Sequence, residues 1–135
     1  MATSDQKLFE QWKSALEEHW RGIPKQFRSP ATVRATLICR LFELVEATGC
    51  RVLAGFMPPL VRDRAVDVLG IGEGGALTYA VCLDEVVTLQ AVKSLSAFES
   101  DHKLILTMGA LEKKVQESRF FLKPEIEHLH LKPFE

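Results

Sequence analysis

Residues 64–85 read RAVDVLGIGEGGALTYAVCLDE, and this stretch decides the fold. Two β-rich segments, 64–71 and 76–83, flank Gly72-Glu73-Gly74-Gly75. That run predicts a hairpin, because glycine reaches the positive-φ conformations such turns need. In the first segment Val66 and Val68 alternate with Asp67, which predicts one apolar and one polar face. The second, ALTYAVCL, is apolar without a break and predicts a strand covered on both faces. Gly70-Ile71-Gly72-Glu73-Gly74-Gly75 superficially suggests a phosphate loop. It joins two strands, however, and lacks both a following helix and a Gly-Lys-Ser/Thr ending, so it reads as the hairpin.

Upstream, RVLAGFM (51–57) predicts another strand, ended by Pro58-Pro59. Before it, Ser29-Pro30 opens a helix with a hydroxyl cap and a proline where no N–H bond is needed. Val33, Leu37, Leu41, Leu44 and Val45 form its buried stripe, and Gly49 stops it. Residues 5–21 read as an amphipathic helix with Leu8, Trp12, Leu16 and His19 at helical spacing, flanked by Phe9 and Trp20. Ser4 or Asp5 caps it, Gly22 and Pro24 end it, and 22–29 is a basic connector. Downstream, Asp84-Glu85 predicts the start of a helix over about 85–98. HKLILTM (102–108) predicts a strand, residues 110–122 a last helix, and the tail PEIEHLHLKPFE offers a short edge strand. The order is α-α-β-β-β-α-β-α. It predicts a single α/β domain over 1–135, a mixed four-stranded sheet with helices on both sides. The helical crossover between third and fourth strands implies parallel pairing there.

The chain has 135 residues, is 47% apolar and carries 17 Lys+Arg against 18 Asp+Glu, which argues against disorder. No apolar run approaches the roughly 18 residues of a membrane span. The start MATSDQKLFE has no signal-peptide core, so a cytoplasmic protein is expected. Cys39, Cys50 and Cys82 match neither a zinc signature nor a disulfide framework and read as reduced thiols. The near-neutral total conceals an asymmetry. Residues 21–64 hold eight basic and three acidic side chains, whereas 65–135 hold seven and eleven. A basic front suggests a polyanion-binding surface, for which Lys25, Arg28, Arg34, Arg40, Arg62 and Arg64 are the candidates. The plainer reading is that these charges solvate exposed faces.

The run of one helix, three strands, a helix and a fourth strand over residues 30–108 resembles the restriction-endonuclease-like PD-(D/E)xK superfamily. The N-terminal helix and connector (1–29) and the tail (123–135) would then flank a nuclease-like core at 30–122. In that family a strand-borne Asp is followed on the next strand by Glu-x-Lys. Asp67 looks like the first acid. Where Glu-x-Lys is expected, this chain has Cys82-Leu83-Asp84, or, two residues on, Asp84-Glu85-Val86; neither register has the lysine. The family's acids hold a hard divalent cation that activates water, and the lysine stabilises the developing charge. A thiol is a poor Mg²⁺ ligand. The resemblance therefore implies the fold with nuclease chemistry lost, and no cofactor or metal is expected. If the site were active, Asp67, Asp84 and Glu85 would hold Mg²⁺, with Glu43 or Glu46 as a third carboxylate and Lys93 as a relocated lysine.

His128 and His130 would share one face of a strand as a metal pair, or lie in a solvated tail. No Gly-x-Ser-x-Gly element or Cys/His spacing recommends nucleophilic catalysis. Trp12 and Trp20 are packing residues, or they let the first helix dock on a second copy, to which Phe120-Phe121 would add apolar surface. The expected function is a catalytically inactive nuclease-like domain associated weakly, without sequence preference, with DNA. The alternatives are a homodimeric interaction module and a metal-dependent nuclease with a relocated lysine. No membrane partner is expected.

Overall fold

In the computed structural model, which describes residues 4–134, the chain runs through two helices into a sheet of five strands. The first helix, α1 (Ser4–Arg21), is followed by one 3-10 turn at Lys25–Phe27 and by α2 (Pro30–Glu46). Strands β1 (Arg51–Phe56), β2 (Val66–Ile71) and β3 (Leu77–Asp84) form an antiparallel meander. Helix α3 (Leu89–Ser96) carries the chain to β4 (His102–Thr107), and α4 (Glu112–Ser118) to β5 (Ile126–His130). Both β4 and β5 run parallel to β3, and the strand order is β1-β2-β3-β4-β5.

The short edge strand that the tail offered is present as β5, so the sheet has five strands and not four. Ile126 is buried against the α3 side of the sheet, and pairing from Lys103↔Ile126 to Thr107↔His130 covers the β4 edge. Hydrogen bonding of that edge outweighs the weak apolar alternation of the tail.

Helix α2 forms as its sequence dictates. Thr32 N–H donates to the Ser29 hydroxyl, Pro30 follows, and Val33, Leu37, Leu41 and Val45 are buried. Gly70 lets this helix approach β2 closely, since a Cβ there would lie 2.7 Å from Val45 Cγ1. The hairpin turn uses Gly74 at φ 79° and Gly75 at φ 84°, conformations that other residues rarely adopt. Residues Tyr79–Leu83 of β3 are buried, as a strand covered on both faces requires.

Two expectations for helices need correction. Helix α3 starts at Leu89, not at 85, because Thr88 supplies the cap by accepting the Ala91 N–H at 3.1 Å. Asp84 is instead the last residue of β3. Helix α4 is shorter than 110–122, beginning at Glu112 and tightening to a 3-10 turn at Arg119–Phe121.

Helix α1 belongs to the core. Phe9, Trp12 and Leu16 are buried, whereas His19 is exposed and not on that stripe. Trp12 meets the Tyr79 ring at 5.1 Å and Phe9 meets that of His102 at 5.4 Å. The stripe expected to dock on a second copy is therefore covered within the chain. The cap expected from Ser4 or Asp5 is not seen in the described residues: α1 begins at Ser4, so its capping position precedes them. No helix among these residues is long and apolar enough to cross a membrane.

Candidate functional site

Strands β2 and β3 part company at one end of the sheet. Their pairing runs from Ile71↔Leu77 to Val68↔Val81, whereas β3 continues beside β4 to Asp84↔Thr107. The backbone of Leu83 must find partners elsewhere. Its N–H donates to Asp67 Oδ2 at 2.7 Å, and its carbonyl accepts from Arg34 Nε at 3.0 Å. Asp67 therefore turns toward β3 and does not occupy a polar face opposite Val66 and Val68. Those two valines enter different apolar clusters, Val68 on the α2 side and Val66 on the α3 side.

Arginines close this fork. Arg34 Nη2 donates to Asp67 Oδ1 at 2.6 Å, and Arg64 Nη2 donates to Asp67 Oδ2 at 2.7 Å and to Asp84 Oδ2 at 3.1 Å. The Ser94 hydroxyl donates to the Arg64 carbonyl and ties α3 to the cluster. Two guanidinium groups thus balance two carboxylates. Burial opposes the charge of Arg64, but hydrogen bonding to Asp67 more than restores it and raises its pKa. Burial also pushes the Asp84 carboxyl above the usual range against the pull of Arg64. The Cys82 thiol is pushed by burial up to about 12, so it stays protonated at neutral pH.

The candidate acids do not converge as a metal site. Asp67 and Asp84 meet only through Arg64. Glu85 is exposed, with its carbonyl taking the Gly109 N–H at 2.8 Å, and Glu43 and Glu46 are exposed on α2. Lys93 is exposed on α3 and lines a 290 Å³ depression with Leu60, Arg62 and Asp63, and Asp67 is not among the residues lining it. Among the described residues no group of three or more His, Cys, Asp or Glu side chains is arranged to hold a metal ion. The residues at the fork do not fit a hard divalent cation, which would have to displace both arginines.

Most of the candidate basic residues gather at this end of the sheet, where β3, β4 and β5 finish. Arg34 and Arg64 close the fork, and Arg62 lies in the preceding loop. Arg28 sits 4.7 Å above the ring of Phe134, just beyond β5, and Lys25 is exposed in the 3-10 turn leading to it. Arg40 is apart from them, pairing with Glu43 along α2 at 3.6 Å.

Local sequence gave no sign of a second feature at this end. Arg21 Nη1 donates to the Pro133 carbonyl at 2.8 Å, and Trp20 meets Phe134 at 6.0 Å, which joins the tail to the end of α1. Beneath them lies a cavity of about 330 Å³ lined in part by Met108, His130 and Leu131. The two histidines, read as a metal pair or as part of a solvated tail, lie half-buried in β5 and converge instead on one hydroxyl. Thr107 Oγ1 lies 2.8 Å from His128 Nε2 and 2.9 Å from His130 Nδ1.

Burial lowers the pKa of His128 to about 4 from 6.5, and the nearby positive charge of Arg119 adds to the effect. A group depressed on folding contributes stability above its unfolded pKa and loses it as pH falls through its folded one. Stability should therefore decline from about pH 6.5 toward pH 4. Because the ring is only partly buried, the expected loss between about pH 7 and pH 5 is about 1 kcal/mol. Urea denaturation should show that loss in the wild type and much less of it in His128→Gln. Equal losses in both proteins would exclude His128 as the cause.

Comparison with protein-family models, curated proteins and solved structures returned no match.

Proposed function

We propose that this chain is a nuclease-like domain without catalysis that associates with nucleic acid through the end of the sheet where β3, β4 and β5 finish. One observation carries this reading: Arg34 and Arg64 hold Asp67 and Asp84 in a charge-balanced cluster, with Arg62 exposed two residues before Arg64, Arg28 over Phe134 just beyond β5, and Lys25 exposed in the connector. The order of α2, β1–β3, α3 and β4 supports the PD-(D/E)xK resemblance, as does the parallel step from β3 to β4. The buried neutral thiol of Cys82 supports the loss of cutting, as does the exposed Lys93, which forms no ion pair with Asp67 or Asp84.

Two of the six basic candidates are engaged with carboxylates at the fork, which limits the phosphate contacts. About two to four remain, so log affinity against log salt should slope at about −1.8 to −3.6 on duplex DNA. Lys25→Glu with Arg62→Glu should flatten that slope by roughly 1 or more. Affinity should vary little with sequence, since phosphate contacts carry no base readout. Fluorescence anisotropy with a labelled oligonucleotide measures all three. No binding even at about 50 mM salt would remove the nucleic-acid reading.

A second reading, the homodimeric interaction module, is favoured by Leu53, Met57 and Leu60. All three are exposed on β1 and the loop after it, and Leu60 holds a strained φ of 66°. Phe120 and Phe121 are exposed as well. Light scattering that gives twice the 15.2 kDa chain mass would favour this module, provided Leu60→Asp returns the mass to one chain.

A further inference from the structure

We infer that the cavity beneath Trp20 and Phe134 is a pocket for one unpaired nucleobase. This goes beyond the proposed association with nucleic acid. It rests on that reading only for the polymer as the source of the base.

The walls and floor point to a flat, neutral, heteroaromatic ligand. Trp20, Met108, Leu131 and Phe134 offer aromatic, thioether and aliphatic surface, against which a planar ring packs well. At about 330 Å³ the cavity has room for one ring system. Glu112 and Lys132 at its rim pair at 2.7 Å and offset each other, so a charged ring has no counter-ion there.

His130 supplies the hydrogen-bonding group. Its Nδ1 is held by Thr107, which leaves Nε2 as the remaining ring nitrogen of a residue that lines the cavity. Thr107 has one hydroxyl proton for two imidazoles. When it donates to His130, Nε2 carries hydrogen and donates to a ligand; when it donates to His128, Nε2 accepts. A pair of neutral histidines sharing one hydroxyl can therefore meet either kind of atom. Base edges present both kinds side by side.

The surroundings suit a base that belongs to a strand. Arg28 lies over the ring of Phe134, which lines the pocket, and Lys25 is one turn away in sequence. Aromatic platforms beside cations are how single strands are held without sequence preference. The cavity also lies at the carboxyl ends of parallel strands, where ligands collect in open α/β sheets.

The test uses the full chain titrated with adenosine, cytidine, guanosine and uridine, read by tryptophan fluorescence and by calorimetry. Saturable binding is expected in about the millimolar range. Trp20→Leu should weaken it by about ten-fold, the loss expected for one stacked base. His130→Phe keeps the ring shape and should weaken binding by several-fold. It guards against misreading a folding defect in the tryptophan variant. Lys25→Glu should weaken binding of a single-stranded oligonucleotide more than that of any nucleoside. If nucleosides bind and oligonucleotides do not, the pocket stands and its ligand is a free base or nucleoside. Oligonucleotide binding with no nucleoside binding up to about 10 mM would overturn the pocket while sparing the association itself. Equal affinity in wild type and His130→Phe would also overturn it. So would tighter binding of N-acetyl-tryptophanamide than of any nucleoside, which would make the cavity a seat for a protein side chain.

Discussion

Asp67→Ala should destabilise the chain by about 3–5 kcal/mol in urea denaturation, the loss expected when one member of a buried ion cluster is removed. The substitution leaves Asp84 as the one carboxylate of the fork, takes the carboxylate partner from Arg34, and removes the acceptor of the Leu83 N–H. The exposed neighbour Asp63 provides the control, and Asp63→Ala should stay within about 0.5 kcal/mol. The comparison separates the two uses of an acid at this position. A carboxylate kept for a metal is commonly a cost to the metal-free fold, and its removal stabilises or is neutral. A carboxylate kept to close the sheet is costly to lose. A change below about 1 kcal/mol would favour the metal reading.

Trp12→Ala carries the other large effect, an expected loss of about 3–5 kcal/mol. Trp12 is buried between Phe9, Leu16 and Tyr79 in the cluster that also holds Leu37 and Leu41. The expected result is lower stability with an unchanged mass near 15.2 kDa in light scattering. Were α1 a docking element, the same substitution would leave the fold stable and change the mass instead.

Much of the fold could be read from local signals. The Ser29-Pro30 cap, the glycine turn at 72–75 and the unbroken apolar run of β3 each act through neighbours in sequence, and each element formed where expected. The parallel step from β3 to β4 followed from chain geometry. What was not legible depends on partners far along the chain. The tail offered a short edge strand, but its partner and direction were not legible: Ile126–His130 pairs parallel with β4, which no local signal specifies. Asp84-Glu85 looked like a helix start, but β3 extends to Asp84 beside Thr107 and Thr88 provides the cap.

The site divides in the same way. Asp67 and the basic residues of 21–64 were visible as types, but their pairing was not. Arg34 and Asp67 are 33 residues apart, so no spacing rule joins them. The fork makes that contact, by leaving the Leu83 backbone without a partner on β2. Trp20, His130 and Phe134 escaped notice as a group for the same reason. They meet only because β5 lies beside β4 and brings the end of the chain to α1.

Binding without cutting is the central claim, and one time course tests it. The chain is mixed with an end-labelled single-stranded oligonucleotide at about 50 mM salt with Mn²⁺, and anisotropy is followed for hours. Anisotropy should rise promptly and hold as a flat plateau, with the strand recovered whole. No rise would contradict the association, and a rise that decays as fragments appear, abolished by both Asp67→Ala and Lys93→Ala, would contradict the loss of catalysis.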